Sequence, residues 1–407
     1  MEQRDNDAGM NLPPVESFIS LEATKPLIDQ VIERCEVIGL SESQFCKMLG
    51  IHRYSWTQLA TGKQQKLDVS LLIKISHFLG IEIDETVRLY LKDAHGDEKQ
   101  RLDFAKRNSF IANHFDLKNL RKIKFLDCAP TDFNATEKRI KEFFGFASIY
   151  EYQDIEVSPA YSRTKRASSD RMMQFWNTMV RFQLKNVSNP NPFDRERFKN
   201  LISMFRAATL DVEFGLSKVI RALYECGVTV IVQSYVANTS IRGGTFIIQG
   251  KPHIVLTNLY KRYPTIWQVL AHECYHVLMR LEEIRKRGYR LNSEDKDLFD
   301  SELEEEAAYE FGRKLFLDDE NLPYIEKYIY AEGIVEQRAQ AWHVHPSLIY
   351  NIYLDKHPEE RKKYSSYLIK SDVTIKNLEV KEPWTKPNIQ VPINEIKSKL
   401  NPVTVPQ

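Results

Sequence analysis

The sequence predicts an α+β fold, predominantly α, and three observations carry that expectation. Helical periodicity runs through most of the chain from residue 25, strand-like text is confined to 228–259, and Gly39, Gly50, Gly62 and Gly80 are spaced too tightly for long helices. The 407 residues hold 57 Lys and Arg against 56 Asp and Glu, with 43% hydrophobic residues. A net charge of +1 excludes a protein that coats polyanions through a general positive field, so nucleic-acid binding has to come from a local patch. The length suits several domains, each with a core that stands without staples. No apolar run reaches the roughly 18–20 residues of a membrane span, and the N-terminus is acidic and polar rather than basic then apolar. The expectation is a cytoplasmic protein with no membrane partner. Five scattered cysteines (Cys35, Cys46, Cys128, Cys226 and Cys274) without a Cys-x-x-Cys pair fit a reducing compartment.

Taken in order, residues 1–21 read as a flexible leader rich in Asn, Asp, Gly and Pro. Residues 22–95 form a small all-helical domain. Residues 96–192 alternate charged helical stretches with breaks at Pro130, Pro159 and the Asn-Pro-Asn-Pro run at 189–192, which predicts a helical connector ending in a linker. In the domain at 193–320, a helix with Leu216, Val219, Ile220 and Leu223 inward is stopped by Gly227. Segments 228–236, 244–248 after a Gly-Gly turn signal, and 253–259 predict a small antiparallel sheet. Helices resume from Thr265 and continue through 321–370. The last 25 residues hold 5 of the 17 prolines, so 371–407 is expected to be an extended tail.

The first chemical constellation spans 40–63. Ser41 is an N-cap, Phe45, Met48 and Leu49 give an apolar face, and Gly50 permits a tight left-handed turn into a second helix. In that helix Ile51, Trp56 and Leu59 face inward, leaving Arg53, Tyr54, Ser55, Thr57 and Gln58 outward as a recognition surface for a major groove. Residues 43–67 contain Lys47, Arg53, Lys63 and Lys66 and no acid, although 20–95 as a whole carries 9 basic and 10 acidic groups. This stretch resembles the Cro/C1-type (XRE) helix-turn-helix family over about residues 25–85, with His52 and Ala60 as departures. The resemblance implies operator DNA as a partner and a homodimer reading paired half-sites.

The second constellation is His272-Glu273-Cys274-Tyr275-His276 inside a helical stretch. Histidines four apart share one helix face and can reach a single ion; Glu273, one position on, can reach water beside it as general base. A third ligand is available 29 residues after His276. In the helix over 302–317, Ala308, Phe311, Gly312, Leu315 and Phe316 form the inward stripe, whose centre falls between Glu304 and Glu305, so either carboxylate can point into the domain. Glu302 and Glu306 read as part of a solvated acidic face, since 294–306 holds eight acids and only Lys296 against them.

The strand pair, Gly-Lys-Pro-His-Ile-Val-Leu-Thr at 250–257, His272-Glu273-x-x-His276 and Glu305-x-x-Ala308-x-x-Phe311-Gly312 together resemble the ImmA/IrrE family of zincin-like metallopeptidases. The segment 334–353, with His345-Pro-Ser-Leu-Ile-Tyr-Asn, is further similar to HigA-like proteins that fuse an XRE domain to such a peptidase. The resemblance implies Zn²⁺ on His272, His276 and Glu305, with Glu304 as second choice, and Glu273 as the catalytic base. Cys274-Tyr275, where an aliphatic residue and Gly are usual, and Tyr309, where Asn is usual, depart from the pattern. The implied function is a DNA-binding transcriptional regulator whose endopeptidase cleaves a repressor, a toxin or the chain itself in a stress, phage or mobile-element response. The alternative is an antitoxin-like repressor in which the peptidase fold is a non-catalytic interaction or sensor module. The strand at 253–256 is expected to receive a substrate backbone by β-addition.

Overall fold

The computed structural model describes residues 25–63, 68–93, 97–152, 167–287, 289–293 and 302–400. The expected leader at 1–21 lies outside them, as do residues 64–67 of the acid-free stretch. The chain divides into two compact units at the junction of Ser109 and Phe110. Among the described residues, no helix is long and apolar enough to cross a membrane.

In the first unit, α1 (Leu27–Val37), α2 (Glu42–Leu49), α3 (Arg53–Ala60), α4 (Val69–Leu79) and α5 (Ile83–Asp93) enclose one core built on Leu27, Val31, Phe45, Trp56, Leu59, Leu72 and Ile75. Helices this short are marginal alone, so local signals fix their ends. Ser41 and Gln44 make a reciprocal capping box on α2, and Gly50, at φ 59°, ends it in the left-handed conformation that turns the chain directly into α3. Lys74 of α4 donates to the Gly50 carbonyl at 2.9 Å and ties that turn to the bundle. Phe45 meets Trp56 and Phe78 edge-on, both at 4.9 Å. Met48, expected inward, is exposed, because an eight-residue helix buries only a narrow stripe.

α6 (Asp97–His114) crosses the junction into the second unit, which continues with α7 (Leu117–Lys122), α8 (Phe133–Phe144), α9 (Ala167–Lys185), α10 (Arg195–Ser203), α11 (Phe205–Ala208) and α12 (Gly215–Glu225). Strands β1 (Thr229–Gln233), β2 (Ile241–Ile248) and β3 (Lys251–Thr257) lead into α13 (Tyr263–Met279), α14 (Leu281–Arg287) and β4 (Tyr289–Ser293). The chain then runs through α15 (Glu302–Phe316), α16 (Leu322–Tyr328), α17 (Glu332–Ala341), α18 (Pro346–Lys356), α19 (Arg361–Tyr364) and α20 (Asp372–Ile375) to β5 (Glu379–Val380) and α21 (Gln390–Leu400). The strands form one sheet in the order β4-β2-β3-β1-β5. The fold is thus α+β and predominantly helical.

The sheet is mixed rather than antiparallel. β2 and β3 form a hairpin around Gln249 and Gly250, both at positive φ as a two-residue turn of this hand requires, and β2 is antiparallel to β4. β1 runs parallel to β3 and to β5, because the chain between β1 and β2 crosses over instead of making a hairpin. Both faces are covered. Val230, Val232, Ile254 and Leu256 pack with α12 and α13, while Ile231, Val255, Phe246 and Ile248 pack with residues of α8, α9 and α21. That alternation explains the unbroken apolar text of β1 and β3.

Two further expectations need correction. The region expected as a connector, 96–192, supplies from Phe110 onward the second core, with Trp176 fully buried and 6.1 Å from the Phe246 ring. Its Asn-Pro-Asn-Pro run is pinned, since Asn189 donates to the Tyr224 carbonyl at 2.9 Å and Lys251 donates to the carbonyls of Asn189 and Asn191. The tail expected at 371–407 is folded as far as residue 400. β5 joins the sheet, Trp384 donates to the Ile123 carbonyl at 2.8 Å, and Ile389, Ile393 and Ile396 are buried at helical spacing. The prolines misled there: Pro392 sits in the first turn of α21, where a missing N–H costs little.

Candidate metal centre

The site is built on α13, a helix begun by Pro264 in its first turn and buried along most of its length. Its interior is apolar on the side of the main core, with Trp267, Leu270, Ala271, Cys274 and Val277 all at 0% exposure. His272, Glu273 and His276 are equally inaccessible, at 2%, 0% and 1%. A polar group taken out of water this completely needs a partner, and the partners come from two neighbouring elements.

α15 packs along α13 and delivers Glu305. Gly312 lies over the turn of α13 that holds Gln268 and Ala271; a methyl group there would stand 3.4 Å from the Gln268 carbonyl oxygen and 3.7 Å from the Ala271 side chain, ordinary contact distances. Glu305 is 7% exposed, with one carboxylate oxygen 3.2 Å from His272 Nε2 and the other 3.5 Å from His276 Nε2. The two imidazole Nε2 atoms lie 3.0 Å apart. Three donors thus converge within 4.8 Å of one another, and this group can hold a metal ion. A tetrahedral ion with bonds of about 2.0–2.1 Å sets its ligands about 3.3–3.4 Å apart, which is the size of this triangle. Glu304, the other candidate, turns away and pairs with Arg280 at 2.7 Å. Glu306 is exposed, and the side chain of Glu302 lies outside the described residues.

β2 positions Glu273. Thr245 donates from Oγ1 to Glu273 Oε2 at 2.7 Å, which holds the carboxylate on the side of the helix facing the sheet. Gly243 clears space for it. A Cβ at that position would stand 2.7 Å from the Val269 side chain, 3.1 Å from Glu273 Oε1 and 3.2 Å from the Val255 carbonyl oxygen. Gly243 and Gly244, expected as a turn signal, lie inside β2 beside an irregularity in its pairing with β4. Glycine within a strand signals close approach, and here the approaching group is the carboxylate.

Tyr275 is half-buried, its ring 5.5 Å from Phe311 and 5.7 Å from His276, so it fills the seam between α13 and α15. Burial drives the Cys274 thiol well above its ordinary value, with the Glu273 charge adding to the effect, and a core position leaves it inert. Tyr309, one turn after Glu305, sets its ring edge-on to His272 at 4.8 Å and accepts a hydrogen bond from Arg242 of β2 at 3.1 Å. Desolvation is the largest influence on its phenol and raises it above the usual tyrosine value, so it is neutral across the physiological range. Thr245, Gly243, Arg242 and Tyr309 were not foreseen as site residues. β3, expected to accept a substrate strand, lies between β2 and β1 and has no open edge; the edge beside β2 is β4.

On the first unit, Arg53, Tyr54, Thr57 and Lys63 are exposed, and Ser55 and Gln58 are half-exposed on the same helix as the buried Trp56 and Leu59. Thr57 donates its hydroxyl proton to the Arg53 carbonyl at 2.9 Å, so toward solvent it offers acceptor capacity only. His52 makes no side-chain cap on α3, while His345 does cap α18, accepting from the Ser347 N–H at 3.1 Å. No protein-family model, curated protein or solved structure matches the chain.

Proposed function

We propose that the chain is a DNA-binding transcriptional regulator carrying a zinc-dependent endopeptidase. The observation that carries the peptidase reading is the buried triangle of His272, His276 and Glu305 with Glu273 beside it, anchored by Thr245. Two imidazoles and one carboxylate are the donor set of hydrolytic zinc sites that keep a fourth position open. Zinc held there would polarise a scissile carbonyl and lower the pKa of water toward neutrality. Glu273 then takes a proton from the attacking water as the new C–O bond forms, and delivers it to the amide nitrogen as the C–N bond breaks. Thr245 keeps that carboxylate oriented by donating to Oε2. A substrate backbone can add to β4, which in the described residues pairs only with β2. The substrate class is a polypeptide, by resemblance a repressor, a toxin or this chain.

The regulator reading is supported by Arg53, Tyr54, Thr57 and Lys63, exposed on and after α3, and by the left-handed Gly50 turn that joins α2 to α3, as a helix-turn-helix requires. Digestion of a peptide library by the zinc-loaded chain tests the enzyme. Cleavage should vanish with chelator and in Glu273→Gln. Cleavage unchanged by either treatment contradicts the assignment, and absence of cleavage alongside tight DNA binding favours a non-catalytic repressor.

A further inference from the structure

We infer that Arg280 is a positioning residue of the proposed metal centre: it fixes α15 so that Glu305, and not its neighbour Glu304, meets the two histidines. The inference rests on the metal site of the metallopeptidase reading and deepens it by naming what selects the third ligand. Glu304 and Glu305 are consecutive, so about 100° of helix rotation separates them and only one can point at the histidines at a time. The apolar stripe that seats α15 on α13 is centred between the two, so packing alone leaves the choice open. Arg280 closes it. Its guanidinium lies 2.7 Å from a Glu304 carboxylate oxygen, which holds Glu304 at the C-terminal end of α13 while Glu305 stays between His272 and His276.

Arg280 is tied to the ligand-bearing segment through its backbone as well as its side chain. It is the C-cap of α13, four residues after His276, and its N–H donates to the His276 carbonyl at 2.9 Å. A second guanidinium nitrogen donates to Glu283 of α14 at 2.9 Å, so the planar fork is held from two sides and its direction toward α15 is set. The Arg280 and Glu304 side chains are only 29% and 25% exposed, so solvent screens this pair less than one lying fully on the surface. One residue thus links the helix that carries both histidines to the helix that carries the carboxylate, at the position next to that carboxylate. The plain alternative is that the pair only stabilises the packing of α15 on α13.

Three measurements on the full chain separate these: zinc affinity in competition with a chromophoric chelator, the visible absorption of the cobalt-loaded chain, and urea unfolding of the metal-free chain. Arg280→Met should weaken zinc about 10-fold and shift the cobalt bands, which report the ligand set. Arg280→Lys keeps the cation and should stay within about threefold, with the bands unmoved. Glu304→Leu should lose about as much as Arg280→Met, and the double variant no more than either alone, since both act through one contact. Unchanged zinc affinity in Arg280→Met overturns the inference. So does a weaker affinity with unmoved cobalt bands and a lower unfolding midpoint, as a packing role alone would produce, and so do losses that add in the double variant. An unsubstituted chain that takes up no zinc ends the metal-centre reading and this assignment with it, whereas one that binds zinc but cleaves no peptide ends only the peptidase reading.

Discussion

Gly243 and His253 show how single positions are constrained from opposite directions. At Gly243 the space that a side chain would fill is already held by Val269, Glu273 and the β3 backbone. Gly243→Ala should therefore destabilise the chain by about 1–3 kcal/mol in urea unfolding and displace the Glu273 carboxylate. An unchanged midpoint would mean that β2 does not lie this close to α13. His253 is 3% exposed on β3, with Nδ1 3.0 Å from the Lys251 carbonyl oxygen, and burial pushes its imidazole down to about 4. Between pH 6.5 and about 4 the unfolded chain binds a proton that the folded chain refuses, so stability is lost as pH falls through that window and is level above it. The full loss is on the order of 3 kcal/mol. His253→Gln should show a shallower fall over the same window; parallel stability curves for the two proteins would count against the burial argument.

At the scale of elements, α13 and α15 were legible because their chemistry is local. A histidine pair four apart names its own helix face, and the stripe of Ala308, Phe311 and Leu315 narrows the third ligand to Glu304 or Glu305. What separates those two is the salt bridge of Glu304 to Arg280, a contact between residues 24 apart that no periodicity reveals. Thr245 and Arg242 escaped notice for the same reason: their roles exist only once β2 lies beside α13 and α15. For α3 the expected outcome concerns salt. If Arg53 and Lys63 contact phosphates, replacing either with Ala should weaken DNA binding at all sequences alike and reduce the slope of log affinity against log salt by about 1 each. A slope unaffected by both substitutions would remove α3 from the interface.

Over the whole molecule, the second unit depends on pieces far apart in sequence. Its sheet needs β5, and the core on the face away from α13 draws on α8, α9 and α21. This long-range closure is why 96–192 and the end of the chain read as connector and tail: their partners lie far along the chain, from 35 residues for Asn189 and Tyr224 to 261 for Trp384 and Ile123, and proline content spoke louder than three spaced isoleucines. A chain ending at residue 377 should accordingly lose cooperative unfolding and metal affinity together, seen by calorimetry and zinc titration; a fully cooperative transition in the shortened chain would show that β5 and α21 are dispensable. The central claim, that this fold assembles His272, His276 and Glu305 into one metal centre, is tested most directly by zinc affinity in competition with a chromophoric chelator. Unsubstituted chain should bind one zinc, Glu305→Gln should weaken it more than about 100-fold, and Glu304→Gln should leave it within about threefold. Equal losses in the two variants, or no stoichiometric zinc in the unsubstituted chain, would contradict it.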